Sequence, residues 1–134
     1  MNTSALKKFA QEARTKLISQ VGAKLEYVLT SDSAELREKA VQVKKLQAAI
    51  NETSKEQVID KVAYTWFNRL MALRFMDVND YQPIGVRVVT PKENYTLPEI
   101  LDEAKQGNIP KELSVNNQHV YAVLDGKVPS ANPQ

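Results

Sequence analysis

The sequence predicts a mainly α-helical fold, a multi-helix bundle around a central apolar helix with a short extended segment near 84–89. Three observations predict it. Apolar residues recur every three or four positions through most of the first fifty residues, the spacing that lines one side of a helix. The run from Val58 to Met76 is apolar on nearly every side, as suits a helix packed from more than one direction. Only Ile84-Gly85-Val86-Arg87-Val88-Val89 is short and β-branched enough to suggest an extended piece or edge strand, and no second run offers it a partner.

The first helix is expected to start after a cap at Thr3 or Ser4 and to run to about Leu29. Its stripe is Leu6, Phe9, Ala13, Leu17, Val21, Leu25 and Val28, and Gly22 weakens it by ~1 kcal/mol relative to Ala. Thr30 to Ser33 breaks the pattern. A second helix follows from about Ala34 to Ile50, with a stripe of Leu36, Ala40, Val43, Leu46 and Ile50. It reads as an antiparallel partner of the first. At Thr53-Ser54-Lys55-Glu56-Gln57 two capping boxes overlap, Thr53 with Glu56 and Ser54 with Gln57, and announce the apolar helix. Asn79, Asp80 and Pro83 mark a turn after it. Thr96 then reads as the cap of a short helix over 99–106, with Pro98 in its first turn and Gly107 at its end. A last helix is expected at Asn117–Leu124.

The totals exclude several classes of function. The chain has 134 residues, about 43% of them apolar and a quarter charged, which suits one compact soluble domain. It has no cysteine, so disulfides, cysteine metal sites and thiol nucleophiles are out. No stretch reaches the ~18 apolar residues of a membrane span, and no secretory signal is visible, so a cytoplasmic location is expected. The four glycines are far apart, which argues against a phosphate-cradling loop. His119 is the sole histidine, too little for a metal centre or a serine triad, and no metal or catalytic residue is expected.

The charged residues leave one candidate site. Net charge is +2, with +4 over residues 1–50 and −2 over 51–134. Lys7, Lys8, Arg14, Lys16 and Lys24 are therefore candidate contacts to a nucleic-acid or other phosphate backbone, although interleaved Glu12 and Glu26 also fit an ordinary solvated face. Arg69 and Arg74 in the apolar helix are expected to pair with a carboxylate or carbonyl or to lay their stems on the core, with a phosphate contact as the other reading. Asp77 and Asp80 read as caps or turn formers, and Asp102 and Glu103 as a solvated acidic face. Trp66, Phe67 and Phe75 read as core, not as platforms for stacked bases.

Three stretches are distinctive together: the opening Met1 to Arg14, the run Lys61 to Met76, and Leu97-Pro98-Glu99-Ile100-Leu101-Asp102-Glu103-Ala104-Lys105-Gln106-Gly107. In combination the chain resembles the N-terminus of the PglX (BrxX) family, adenine-specific DNA methyltransferases of BREX phage-exclusion systems. The resemblance implies a large enzyme that moves a methyl group from S-adenosylmethionine to adenine N6 of host DNA, taking the base out of the duplex to do so. Such chemistry needs a glycine-containing cofactor motif and an Asn/Asp-Pro-Pro-Tyr/Phe motif. This sequence holds no Pro-Pro and no Gly-x-Gly, so no catalytic or cofactor-binding residue carries over.

The resemblance thus implies that residues 1–127 are an N-terminal helical domain and 128–134 a linker or chain end, with the catalytic methyltransferase domain absent. The expected partners are the rest of the methyltransferase, DNA and other BREX proteins. No cofactor is expected here, and S-adenosylmethionine is expected in the parent enzyme. A stand-alone helical interaction or oligomerisation module is the alternative. A small helix-turn-helix regulator fits less well, because the helix after the Asn51–Ser54 turn is apolar rather than basic.

Overall fold

The structure is a computed structural model, and residues 2–127 are described. Among them are six helices and no strand, so the mainly α prediction holds. The chain divides into two compact units, Met1–Arg69 and Leu70–Gln134. The expected linker at 128–134 lies outside the described residues.

The first unit opens with helix α1, Thr3–Thr30. Its cap is Asn2, one residue ahead of the expected Thr3 or Ser4, with the side-chain oxygen accepting from the Ala5 N–H at 3.2 Å. An Asn in extended backbone caps as well as Ser or Thr does, and here it stands where the first turn needs an acceptor. Of the predicted stripe, Leu25 is buried and Ala13, Leu17, Val21 and Val28 are half-buried. Leu6 and Phe9 are exposed, so the stripe is covered only from Ala13 onward.

The second predicted helix is two pieces, α2 at Ala34–Glu38 and α3 at Ala40–Glu52. Ser33 caps α2 by accepting from the Leu36 N–H at 3.2 Å. Lys39 separates the pieces with φ −99° and ψ 25°, outside the helical well. The apolar repeat runs through it unbroken, which is why periodicity did not find the interruption.

Of the two overlapping capping signals, Ser54 begins helix α4, Lys55–Val78, by accepting from the Gln57 N–H at 3.1 Å. Thr53 instead closes α3, its hydroxyl donating to the Ala49 carbonyl at 2.8 Å. The start of α4 passes the second half of α1 in the opposite direction. Lys55 pairs with Glu26 at 2.7 Å, and one turn on Ile59 lies against Gly22. Ala63 of α4 is buried in this unit.

The second unit begins within α4. That helix ends in a reciprocal cap: Tyr81 N–H donates to Met76 O at 2.8 Å, and Asp80 N–H to Asp77 O at 3.2 Å. Asp80 takes the left-handed conformation, φ 55°, that this ending requires and that Asp tolerates better than most residues. The residues 84–89, expected to be extended, form turns and bends instead of a strand. Helices α5, Glu99–Lys105, and α6, Asn117–Leu124, fall where the sequence placed them. Pro98, rather than Thr96, occupies the cap of α5 and brings no side-chain hydrogen bond. Gly107 and Gly126, at φ 88° and 72°, end the two helices with the same reciprocal bonds as α4.

The apolar helix departs from expectation in one respect. Trp66 and Phe75 were expected in the core, yet they are 48% and 62% exposed, while Phe67 is half-buried. Apolar residues surround α4, and the described helices do not cover every side of it.

Candidate functional site

The most constrained polar group among the described residues is the carboxylate of Asp77, which is fully buried near the end of α4. Four donors converge on it. Its Oδ1 accepts from Gln82 Nε2 at 2.7 Å and from the Val88 N–H at 3.0 Å. Its Oδ2 accepts from the Val89 N–H at 2.9 Å and the Thr90 N–H at 2.8 Å. The β-branched run is folded by this arrangement. Three successive N–H groups that a strand would give to a neighbouring chain go instead to one side chain, because the sequence offers no partner strand.

Burial pushes the Asp77 carboxyl upward, but the backbone N–H groups of Val88, Val89 and Thr90 and the Gln82 amide together outweigh it and hold the group at about 2. The carboxylate is ionised at neutral pH and its lone pairs are occupied. It is placed to fix a loop, not to take a proton from a substrate.

Around it lies a second layer of charge. Arg87 pairs with Asp80 at 3.7 Å, and its N–H donates to Glu99 Oε2 at 3.1 Å. Lys92 meets Glu99 Oε1 at 2.7 Å. The hydrogen bond from Lys92 and that from the Arg87 backbone lower the Glu99 pKa, and the same contact with Glu99 raises that of Lys92. The Ile100 N–H donates to the Arg87 carbonyl at 2.9 Å and ties the loop to the start of α5. These groups line a small cleft of about 70 Å³. Arg87 Nε is buried there without a protein partner.

The residues singled out from sequence are distributed elsewhere. Lys7, Lys8, Arg14, Lys16 and Lys24 are all exposed on α1. At 100° per residue Lys7 and Arg14 share a side, while Lys16 lies half a turn from Lys7. Lys8 pairs with Glu12 at 3.8 Å, and Lys24 lies 5.0 Å above the Tyr27 ring. Arg69 stacks over the Trp66 ring at 5.6 Å, and Arg74 donates to the Thr90 hydroxyl at 3.4 Å, an aromatic ring and a hydroxyl in place of the expected carboxylate or carbonyl. His119 contributes its backbone N–H to the Asn116 cap of α6, and among the described residues no group of three metal-ligating side chains occurs. Glu103 accepts from Asn108 Nδ2 at 3.1 Å, and it and Asp102 are half-buried rather than fully solvated.

Sequence reasoning passed over the role of Asp77. The available signal was a single acid at the end of the most apolar run, five residues before Gln82 and seven before a β-branched stretch without a partner.

The described residues form a mainly helical protein in which a buried carboxylate pins a loop to a helix end. Its relatives give the family. The chain is 33% identical, over a 133-residue alignment covering 78% of it, to the adenine-specific methyltransferase PglX of Lacticaseibacillus casei (strain Zhang). It is 39% identical over 51 residues, 38% of its length, to the adenine-specific methyltransferase BrxX of Escherichia coli O9:H4 (strain HS). By these similarities the chain is a relative of the PglX/BrxX family of adenine-specific methyltransferases. It spans 11% of the first of these proteins and 4% of the second. No family model matches the chain, and no solved structure does. Among the described residues no helix is long and apolar enough to cross a membrane.

Proposed function

We propose that this chain is the N-terminal, non-catalytic domain, residues 1–127, of a BREX phage-defence DNA adenine N6-methyltransferase, and that it supports binding of DNA or of partner proteins. The observation that carries the reading is the 33% identity to PglX across 78% of the chain, within a stretch that is only 11% of that enzyme. In this reading the described residues are a scaffold, with the buried Asp77 carboxylate fixing a loop to the end of α4. Methyl transfer, S-adenosylmethionine and the choice of adenine then belong to the rest of a cytoplasmic enzyme, which is the primary partner. DNA and other BREX proteins are the further partners. The exposed basic residues of α1, Lys7, Lys8, Arg14, Lys16 and Lys24, are the candidate phosphate contacts, with Lys7 and Arg14 on one side and Lys16 opposite them.

Titration calorimetry of the isolated chain with S-adenosylmethionine is expected to give no heat of binding. Micromolar affinity would overturn the non-catalytic reading. For DNA, binding to duplex of unrelated sequences is expected to weaken as salt rises, with a slope reduced by about one when a single contacting lysine is removed. A slope unchanged by Lys7→Ala and Arg14→Ala together would remove that side of α1 from the interface, and one also unchanged by Lys16→Ala would remove the other.

A further inference from the structure

We infer that the exposed patch Phe75, Val78 and Tyr81 is the surface by which the second unit docks onto the catalytic part of the methyltransferase polypeptide, against an apolar concave face. The inference rests on the functional reading above. Phe75 and Val78 are three residues apart on α4 and therefore share a side. Tyr81 meets the Phe75 ring edge-to-face, with centroids 6.0 Å apart. That ring contact belongs to the cap that ends the helix, yet it leaves both rings 62% exposed and Val78 53% exposed. A grouped apolar patch of this kind is in the size range of the largest patch on a monomer, which is often a functional surface.

The patch is also rigidly mounted. Asp77 lies between Phe75 and Val78 in the chain, fully buried and held by four donors, which anchors the helix end that carries them. The Asn79 amide donates to the Phe75 carbonyl at 2.8 Å and Tyr81 N–H to the Met76 carbonyl at 2.8 Å, which fixes the same turn. A surface held in its binding geometry loses little entropy on docking.

Size selects the occupant. Three side chains at this exposure present on the order of 350 Å². A stable contact between separate chains needs about 800 Å² from each partner. A contact within one polypeptide needs less, because the tether keeps the partner at high effective concentration. The matched stretch is only 11% of PglX, so most of such a polypeptide lies beyond it to supply the opposing face.

The test uses the whole methyltransferase polypeptide that carries this segment, with the photo-crosslinking residue p-benzoylphenylalanine at position 81. Irradiation is expected to link it to peptides outside residues 1–134 of the same chain. Links confined to 1–134, or a doubled mass from a second copy, would overturn the docking surface. In parallel, Phe75→Ser with Tyr81→Ser is expected to raise amide exchange in the opposing peptides at least tenfold while Val88 to Thr90 stay protected. Unchanged exchange there counts against the proposal, and the crosslink decides if the variant fails to fold. Adenine methylation by the unsubstituted polypeptide separates the two claims. With methylation and no external link, docking alone fails. Without methylation, or without a methyltransferase part in the reading frame, the functional reading fails and takes the docking with it.

Discussion

Asp77 and Thr90, thirteen residues apart, are joined by a 2.8 Å hydrogen bond from the Thr90 N–H to the Asp77 carboxylate, and both are buried. Together with the bonds from Val88 and Val89, this contact turns a β-branched stretch into a loop folded on the end of α4. The second unit is organised around it.

Asp77→Asn keeps the shape of the side chain but replaces an acceptor oxygen with an N–H₂ group that faces backbone donors. It is expected to cost about 3 kcal/mol or more, because buried donors lose their partner. Amide exchange at Val88, Val89 and Thr90 reads the loss locally. Protection there equal to that of the unsubstituted chain would refute the latch.

The same carboxylate makes the second unit sensitive to acid. Its pKa falls from the unfolded value of 3.8 to about 2 on folding. The folded state therefore binds the proton less tightly, and the gain is complete above pH ~5. It is lost as pH falls toward 2, and it amounts to about 2 kcal/mol. Far-UV circular dichroism followed through a pH series should show the loss in this window, and the Asp77→Asn protein should lack that component.

Gly22→Ala should stabilise the first unit. Gly22 lies inside α1, and a methyl group there would stand 3.6 Å from the Ile59 Cδ1, an ordinary contact. Removing a mid-helix glycine is worth up to ~1 kcal/mol. Chemical denaturation should show a higher midpoint with an unchanged slope, and a lower midpoint would mean that α1 and α4 approach more closely than this.

Gly107→Ala should act in the opposite sense. Gly107 has φ 88° where α5 ends, with its N–H given to Ala104 and the next N–H to Glu103. Space is open around it, so the cost is that of the left-handed backbone alone, about 1 kcal/mol. A thermal melt that did not move would show that α5 can end another way.

Much of the helical layout was legible in the residues. Asn117–Leu124 and the glycine ending at Gly107 follow from local rules that act within one turn. The resemblance carried by Lys61 to Met76 pointed to the family that the identity to PglX supports. What was not legible lay in contacts across longer separations or between faces. Val88 and Val89 have strand propensity, and only the distant Asp77 decides that they do not form one. Trp66 and Phe75 carry the composition of core residues, and composition does not say how many neighbours a helix has.

By itself the sequence determined the helical layout apart from the break at Lys39, the cap at Ser54, the glycine ending at Gly107 and the family, because backbone preference, apolar period and residue identity are properties of neighbours in the chain. Tertiary structure alone decided which side of the apolar helix is covered and what the acid at its end does. Burial and convergent hydrogen bonding arise only when separate segments meet. Four donors from 82–90 make Asp77 a latch, and the absence of a covering segment among the described residues leaves Phe75 and Tyr81 open.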